Sequence, residues 1–337
     1  MSLQPKTILF KPEERNIFFH ILTACNLSCR HCYINRGQHG AGTLDITTIE
    51  RWLGLFRTPD PSASNVIFLG GEPTLHPDLP RAVRYAKELG FGSVTIDSNG
   101  YLHHDLLEKI TPEEAVISFS LDGPDPTVND RLRGKGVFTT CTANLQKAVD
   151  KGFDVSVIYT VNRENLQPLV RMPELLSSLG CKRFFIQVIG LRGSSAKAPP
   201  ETLQPSIDEW LSVVVPTAQE AARLGIHVIY PKVFLKPNEP FQCAGRLANN
   251  FFLFPNGRVY LCPLCEDYPI HAYEIADNRL AMRPGLTERR FFDLDIPEGC
   301  VMHKLLQPDN IVYDPDGRPS HRISCCLLKQ EICPATG

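Results

Sequence analysis

The chain has 337 residues, 43% of them hydrophobic and 21% charged, a composition that suits a globular protein larger than one small core. Its formal net charge of −2 gives no global reason to expect a polyanion, so no nucleic-acid partner is expected, although charge balance says nothing about local grooves. No run of about 18 apolar residues occurs, and Met1 to Arg15 lacks the apolar stretch of a secretory signal, so no membrane association is expected and cytoplasmic residence is the default.

Short β-rich runs alternate with helical patterns from the start. Asn16–Thr23 reads as a strand and Thr43–Phe56 as a helix. Asn65–Leu69 is a buried strand, followed by a helix over Asp78–Leu89. Ser93–Asp97 is the third strand, with a helix near His104–Ile110. Ala115–Leu121 is the fourth, before a helix over Thr139–Lys151. Asp154–Val161 and Arg183–Ile189 are the fifth and sixth, with a helix between them. Six β-then-α units of roughly 25–35 residues imply an α/β fold with a parallel sheet and right-handed crossovers. Periodicity alone does not separate a barrel from a doubly wound sheet.

The pattern then changes. Leu191–Pro205 is rich in Gly, Ser and Pro and reads as a loop, and Ser206–Leu224 as a helix. Beyond it, Asn250–Phe254 and Arg258–Leu261 flank Pro255-Asn256-Gly257, a strong hairpin signal. These shifts divide the chain into residues 1–190, a linker and helix over 191–235, and a cysteine-rich tail over 236–337.

Twelve cysteines are many for such a chain, and without a signal peptide they point to metal or redox chemistry rather than disulfides. Cys25, Cys29 and Cys32 form one group, directly after the first strand. Three thiolates on a short loop can hold three irons of a cubane and leave the fourth open. A zinc knuckle short of its fourth ligand is the alternative. His31 is available by composition but squeezed between Cys29 and Cys32. Cys141 and Cys181 read as buried small hydrophobes.

The Cys25-x3-Cys29-x2-Cys32 spacing after the first strand of a β/α series resembles the signature of the radical S-adenosylmethionine (SAM) superfamily. The resemblance implies a partial (β/α)6 barrel of the TIM type and a [4Fe–4S] cluster on those cysteines. It implies reductive cleavage of SAM to methionine and a 5′-deoxyadenosyl radical, which abstracts hydrogen from substrate. His31 stands where relatives place an aromatic residue near the adenine, with Tyr33 close behind. Gly70-Gly71-Glu72-Pro73 resembles the motif that meets the SAM amino group, its glycines letting backbone approach the ligand. Ser98 and Asn99, with Gly100, resemble the motif closing the third strand. Ser118, Ser120 and Asp122 resemble positions near the SAM ribose and carboxylate, Asn162 with Asn165 the fifth-strand motif, and Gln187 a nucleoside contact. Each of these has an alternative reading as a strand-end cap.

In the tail, Cys243, thirteen residues, Gly257, four residues and Cys262 resemble the opening of the SPASM and twitch extensions, which carry auxiliary Fe–S clusters. The hairpin would bring Cys243 and Cys262 together. The closely spaced run that completes a full SPASM pattern is missing, since Cys265 falls too early. Cys300, the adjacent pair Cys325-Cys326, and Cys333 remain as candidates, with at most one of the pair expected on a given cluster. A single twitch-like [4Fe–4S] cluster is the preferred reading, with two clusters, zinc or no metal as alternatives.

Other polar groups carry blander expectations. His76, His103 and His104 read as caps or solvent-facing residues. Arg131, Arg133 and Lys135 form a basic patch that either faces SAM or sits in a solvated turn. Tyr33, Tyr159 and Tyr230 read as packing residues, with hydrogen-atom donation the alternative.

Three functions follow from the resemblance. The first is side-chain modification of a peptide or protein, assisted by the auxiliary cluster. The second is oxidation or rearrangement of a small metabolite, and the third a non-catalytic Fe–S electron carrier. A flavodoxin- or ferredoxin-like reductant is implied. The short stretch before Cys25 leaves no room for an N-terminal peptide-recognition domain, which weighs against leader-dependent peptides.

Overall fold

The structure, a computed structural model, describes residues 3–58, 60–102, 105–197, 204–236 and 238–334. In chain order the strands are β1 (Lys6–Ile8), β2 (Arg15–His20), β3 (Ser64–Leu69), β4 (Ser93–Ser98), β5 (Val116–Ser120), β6 (Val155–Val161), β7 (Arg183–Val188), β8 (His227–Pro231), β9 (Phe234–Leu235), β10 (Asn249–Leu253), β11 (Arg258–Tyr260), β12 (Tyr273–Ala276), β13 (Arg279–Met282), β14 (Arg322–Ile323) and β15 (Lys329–Ile332). Among the described residues, one 13-stranded sheet runs β1-β15-β8-β7-β6-β5-β4-β3-β2-β10-β11-β12-β13. β2 to β8 are parallel throughout, and the order leaves β2 and β8 unpaired with each other, so the sheet is open.

Alternation explains which face is buried. Ile17, Phe19, Val66, Phe68, Ile96, Ile117, Phe119, Val157 and Ile186 point to one face and are fully buried. Burying each such side chain contributes roughly 1.5–3 kcal/mol. Helices Ile46–Leu55, Leu79–Glu88, Val137–Asp150 and Ile207–Arg223 turn apolar residues such as Leu53, Val83, Leu145 and Val214 into the same core. Asp45 caps the first of them through Thr48 N–H, and Ser206 with Glu209 forms a reciprocal capping box on the last. Thr95, Ser120, Thr160 and Gln187 alternate to the opposite face and stay half-buried.

All six expected strands are present with ends within three residues of those expected, the largest difference being the first, which ends at His20 rather than Thr23. Two pairings go beyond the sequence reading. The segment 191–235 contains β8, which joins β7 in parallel. The tail hairpin is also part of the sheet: β10 lies parallel to β2, with Phe252 beside Phe18, and then turns into β11 through Gly257 at φ +83°. Both pairings are long-range in sequence, and hydrophobic pattern carries no information about partner choice. The expected loop over Leu191–Pro205 lies partly outside the described residues, as do His103 and His104.

Candidate functional site

The C-terminal ends of β2 to β7 converge on the loop carrying Cys25, Cys29 and Cys32, the end at which β/α enzymes keep their sites. That loop is held from several sides. Gly71 N–H donates to Leu22 O (3.1 Å) and Glu72 N–H to Ala24 O (2.9 Å). A Cβ on Gly71 would lie 2.2 Å from Ala24 O, and one on Gly70 2.5 Å from Leu22 O. The two glycines are therefore required by the approach of backbone to backbone, a reason closer to hand than the approach to a ligand. Arg30 N–H donates to Leu132 O (2.9 Å), and Ser194 N–H donates to Cys32 O (2.8 Å).

Two buried carboxylates organise the strand ends. Glu72 accepts from Thr74 N–H (3.1 Å), Thr74 Oγ1 (2.7 Å), Ser98 Oγ (2.9 Å) and Asn99 N–H (2.7 Å). Burial pushes its carboxyl up against these bonds. Asp122 is fully buried, pairs with Arg133 and with His31 Nε2 (2.9 Å), and accepts Thr160 N–H (2.7 Å). Burial opposes ionisation there, but Arg133 and then His31 outweigh it and hold the carboxyl below the usual range. Asn165 Nδ2 donates to Asp122 O (3.2 Å) and Thr160 O (3.0 Å), joining β5 to β6.

The basic patch separates in space. Arg133 is buried on Asp122, Arg131 pairs at the surface with Glu164, and Lys135 is exposed. His76 is a buried cap, bonded to Leu44 O (2.7 Å) and accepting Asp78 N–H (3.1 Å). Tyr159 is buried with its hydroxyl donating to Asn165 O (2.6 Å), and Tyr230 is buried with no partner for its hydroxyl. Cys141 and Cys181 are buried.

The donor set fits a cluster and a polar ligand at this end. Buried nitrogens of Asn26, His31 (Nδ1) and Asn162 have no hydrogen-bond partner, an unmet demand of about 1–3 kcal/mol each. Asn99 Nδ2 donates to Asn26 Oδ1 (2.8 Å) and reaches Cys25 Sγ (3.7 Å), tying the cysteine loop to β4. A single zinc would hold its thiolates roughly 3.8 Å apart, from a Zn–S bond of about 2.3 Å and tetrahedral angles. No three cysteines approach within 4.8 Å among the described residues, so neither group has single-ion spacing.

The tail supplies a second gathering. Cys243, Cys262, Cys300, Cys325 and Cys326 line one cavity with Phe241, Leu261, Phe291, Phe292 and Met302. Cys243 and Cys262 thus meet there. Cys265 is buried beside Cys262, its N–H donating to Cys262 O (3.0 Å). Cys333 stands apart, past the far end of β15. Glu288 shapes this turn by accepting the N–H groups of Leu261 (2.7 Å), Cys262 (3.0 Å) and Ala272 (3.1 Å). Burial pushes its carboxyl up to about 8.

Between the two gatherings lies a junction absent from the sequence reading. Tyr33 donates to or accepts from His20 Nε2 (2.7 Å), and the Arg192 guanidinium lies 4.9 Å from the Tyr33 ring centroid. Arg192 pairs with buried Glu266, the residue after Cys265, and donates to Pro263 O (2.8 Å). Phe254 is stacked between His20 (4.1 Å) and His39 (3.9 Å). Tyr33 thus serves the contact with the tail. Nothing in the local sequence of Arg192 or Glu266 signals this, because the partners are about 70 residues or more apart.

An open parallel sheet with a three-cysteine loop and braced carboxylates at its strand ends defines an α/β protein built to hold a cofactor there. Residues 20–176 match the radical SAM superfamily, and the chain carries a radical SAM domain. It is 30% identical over 193 residues to Fe-coproporphyrin III synthase of Methanosarcina barkeri, covering 55% of this chain and 47% of that one. It is 27% identical over 288 residues to mycofactocin maturase MftC of Mycobacterium tuberculosis, covering 77% and 66%. The chain thus spans about half to two thirds of these relatives. Streptococcus suis SuiB bound to S-adenosylmethionine shares the fold at TM-score 0.60 and 14% identity, covering 75% of this chain and 61% of that one. SuiB bound to precursor peptide SuiA aligns at TM-score 0.57 and 15% identity, covering 74% and 59%.

Proposed function

We propose that the chain is a radical SAM enzyme that modifies a side chain of a peptide or protein, with an auxiliary cluster in its tail. The carrying observation is the pairing of the two cysteine gatherings through Tyr33, Arg192 and Glu266. Chemistry at the strand ends would then be coupled to a second redox site. The maturase match, which covers more of the chain than the synthase match, and the peptide complex of SuiB support this substrate class.

Cys25, Cys29 and Cys32 would hold the [4Fe–4S] cluster, and the tail cavity the auxiliary one. When bound, the cluster and SAM supply a 5′-deoxyadenosyl radical. The chain's own residues orient and shield. Asp122 fixes His31 and Arg133 beside Cys29, Glu72 fixes Ser98 and Asn99 beside Cys25, and the free Asn162 and His31 nitrogens offer donors to a polar ligand. Ser120 and Gln187 line the half-open face beyond, and Ser118 is buried. A flavodoxin- or ferredoxin-like reductant and a cytoplasmic setting suit half-buried thiols that must remain reduced.

The test is anaerobic incubation with SAM, reductant and short peptides encoded beside the gene. A peptide mass change with 5′-deoxyadenosine release, both lost in Cys29→Ala, is expected. Release of 5′-deoxyadenosine that only a small metabolite stimulates would select the second reading, which the synthase match favours.

A further inference from the structure

Cys333 is not among the cysteines that line the tail cavity, and its neighbours have ligating chemistry. β15 runs antiparallel to β8 with Glu331 opposite Ile229 and Ile332 opposite Val228. Alternation therefore puts His227, Glu331 and Cys333 on one face, within diagonal reach of one another. A ring nitrogen of His227, a carboxylate oxygen of Glu331 and Cys333 Sγ all lie within 4.8 Å of each other. Among the described residues this is the one such trio of histidine, cysteine or carboxylate groups.

We infer that His227, Glu331 and Cys333 form a binding site for a single zinc ion, separate from both cysteine gatherings. His227 Nε2 lies 3.5 Å from Glu331 Oε2, and this buried nitrogen has no hydrogen-bond partner. Lys6 approaches the other carboxylate oxygen, Oε1, at 3.8 Å, which leaves Oε2 toward the imidazole. One nitrogen, one oxygen and one sulfur suit borderline-soft zinc, whereas magnesium and calcium prefer oxygen throughout. Zinc would displace the thiol proton of Cys333 to solvent, and water would fill the fourth position. Exposed Cys333 leaves the ion an entry path.

The site lies at the opposite end of the strands from the SAM region, since His227 pairs with Arg183 at the start of β7. Its role is a clasp. It would fasten β15, the strand that follows Cys325 and Cys326, to the edge of the parallel sheet.

The experiment uses the full chain with both cluster sites loaded with iron and sulfide, then equilibrated with zinc and dialysed. Elemental analysis should find about one zinc per chain. X-ray absorption at the zinc edge should show a single sulfur at about 2.3 Å and nitrogen or oxygen near 2.0–2.1 Å. Cys333→Ser and His227→Gln should each lose the zinc while iron content and far-UV circular dichroism stay at wild-type values. Zinc retained equally by both variants, zinc surrounded by several sulfurs, or no zinc in the wild type would overturn the assignment.

Discussion

The two cysteine gatherings differ in how they are built. Cys25, Cys29 and Cys32 lie within eight consecutive residues, and polar groups from β4, β5 and β6 frame them. The tail cavity collects cysteines from positions 243 to 326 and frames them with phenylalanine, leucine and methionine. The first arrangement suits a site that takes a polar ligand and must hold it in register. The second suits a cluster shielded from water, where a dry, low-dielectric shell tunes redox potential. Local motifs make a reactive site, and distant residues make an insulated one.

The largest expected effect tests whether the two gatherings hold separate clusters. Replacing Cys25, Cys29 and Cys32 together with alanine should abolish 5′-deoxyadenosine formation and leave about four irons per chain in the tail. Complete loss of iron would mean that the tail holds no cluster, and the comparison would break. Next comes the polar frame. Asp122→Asn removes the charge that Arg133 and His31 face, and should cost about 3–5 kcal/mol in urea unfolding. A loss under about 1 kcal/mol would show that the pair is solvated, as surface pairs are.

The smallest effect concerns the junction. Burial, and secondarily His20, lowers His39 to about 3. An unfolded histidine titrates near 6.5, so between about pH 6.5 and 3 the unfolded chain binds a proton that the folded chain refuses. Stability contributed by His39 is therefore lost as pH falls through that window. Glu266, raised to about 7 chiefly by burial, has the opposite sign, so wild type and variant must be compared. His39→Phe should show a shallower acid decline than wild type in denaturant unfolding at stepped pH. An unchanged slope would place His39 in contact with solvent.

Much of the fold was legible because six strands alternate with helices that bury one stripe. The strand-end residues were legible for a related reason: Glu72, Asn99, Asp122 and Asn162 each follow a strand, where a β/α sheet gathers its loops. Their bonds were not. Glu72 spends its oxygens on Thr74, Ser98 and Asn99, and Asp122 spends its charge on Arg133, choices that depend on how neighbouring strand ends meet. Glu288 and Glu266 carried no signal at all, since a glutamate in a tail reads as surface until its surroundings are known.

By itself the sequence determined the α/β class, the three-cysteine loop, the hairpin at Asn256-Gly257 and the existence of a second cysteine group. These depend on periodicity, spacing and turn chemistry, which act over a few residues. Only the tertiary structure decided that β8 and β10 extend the parallel sheet, that five tail cysteines share a cavity, and that Cys333 faces His227 and Glu331 instead. Those outcomes depend on strand partners and register, which bring together residues from 44 to 234 positions apart and leave no local trace.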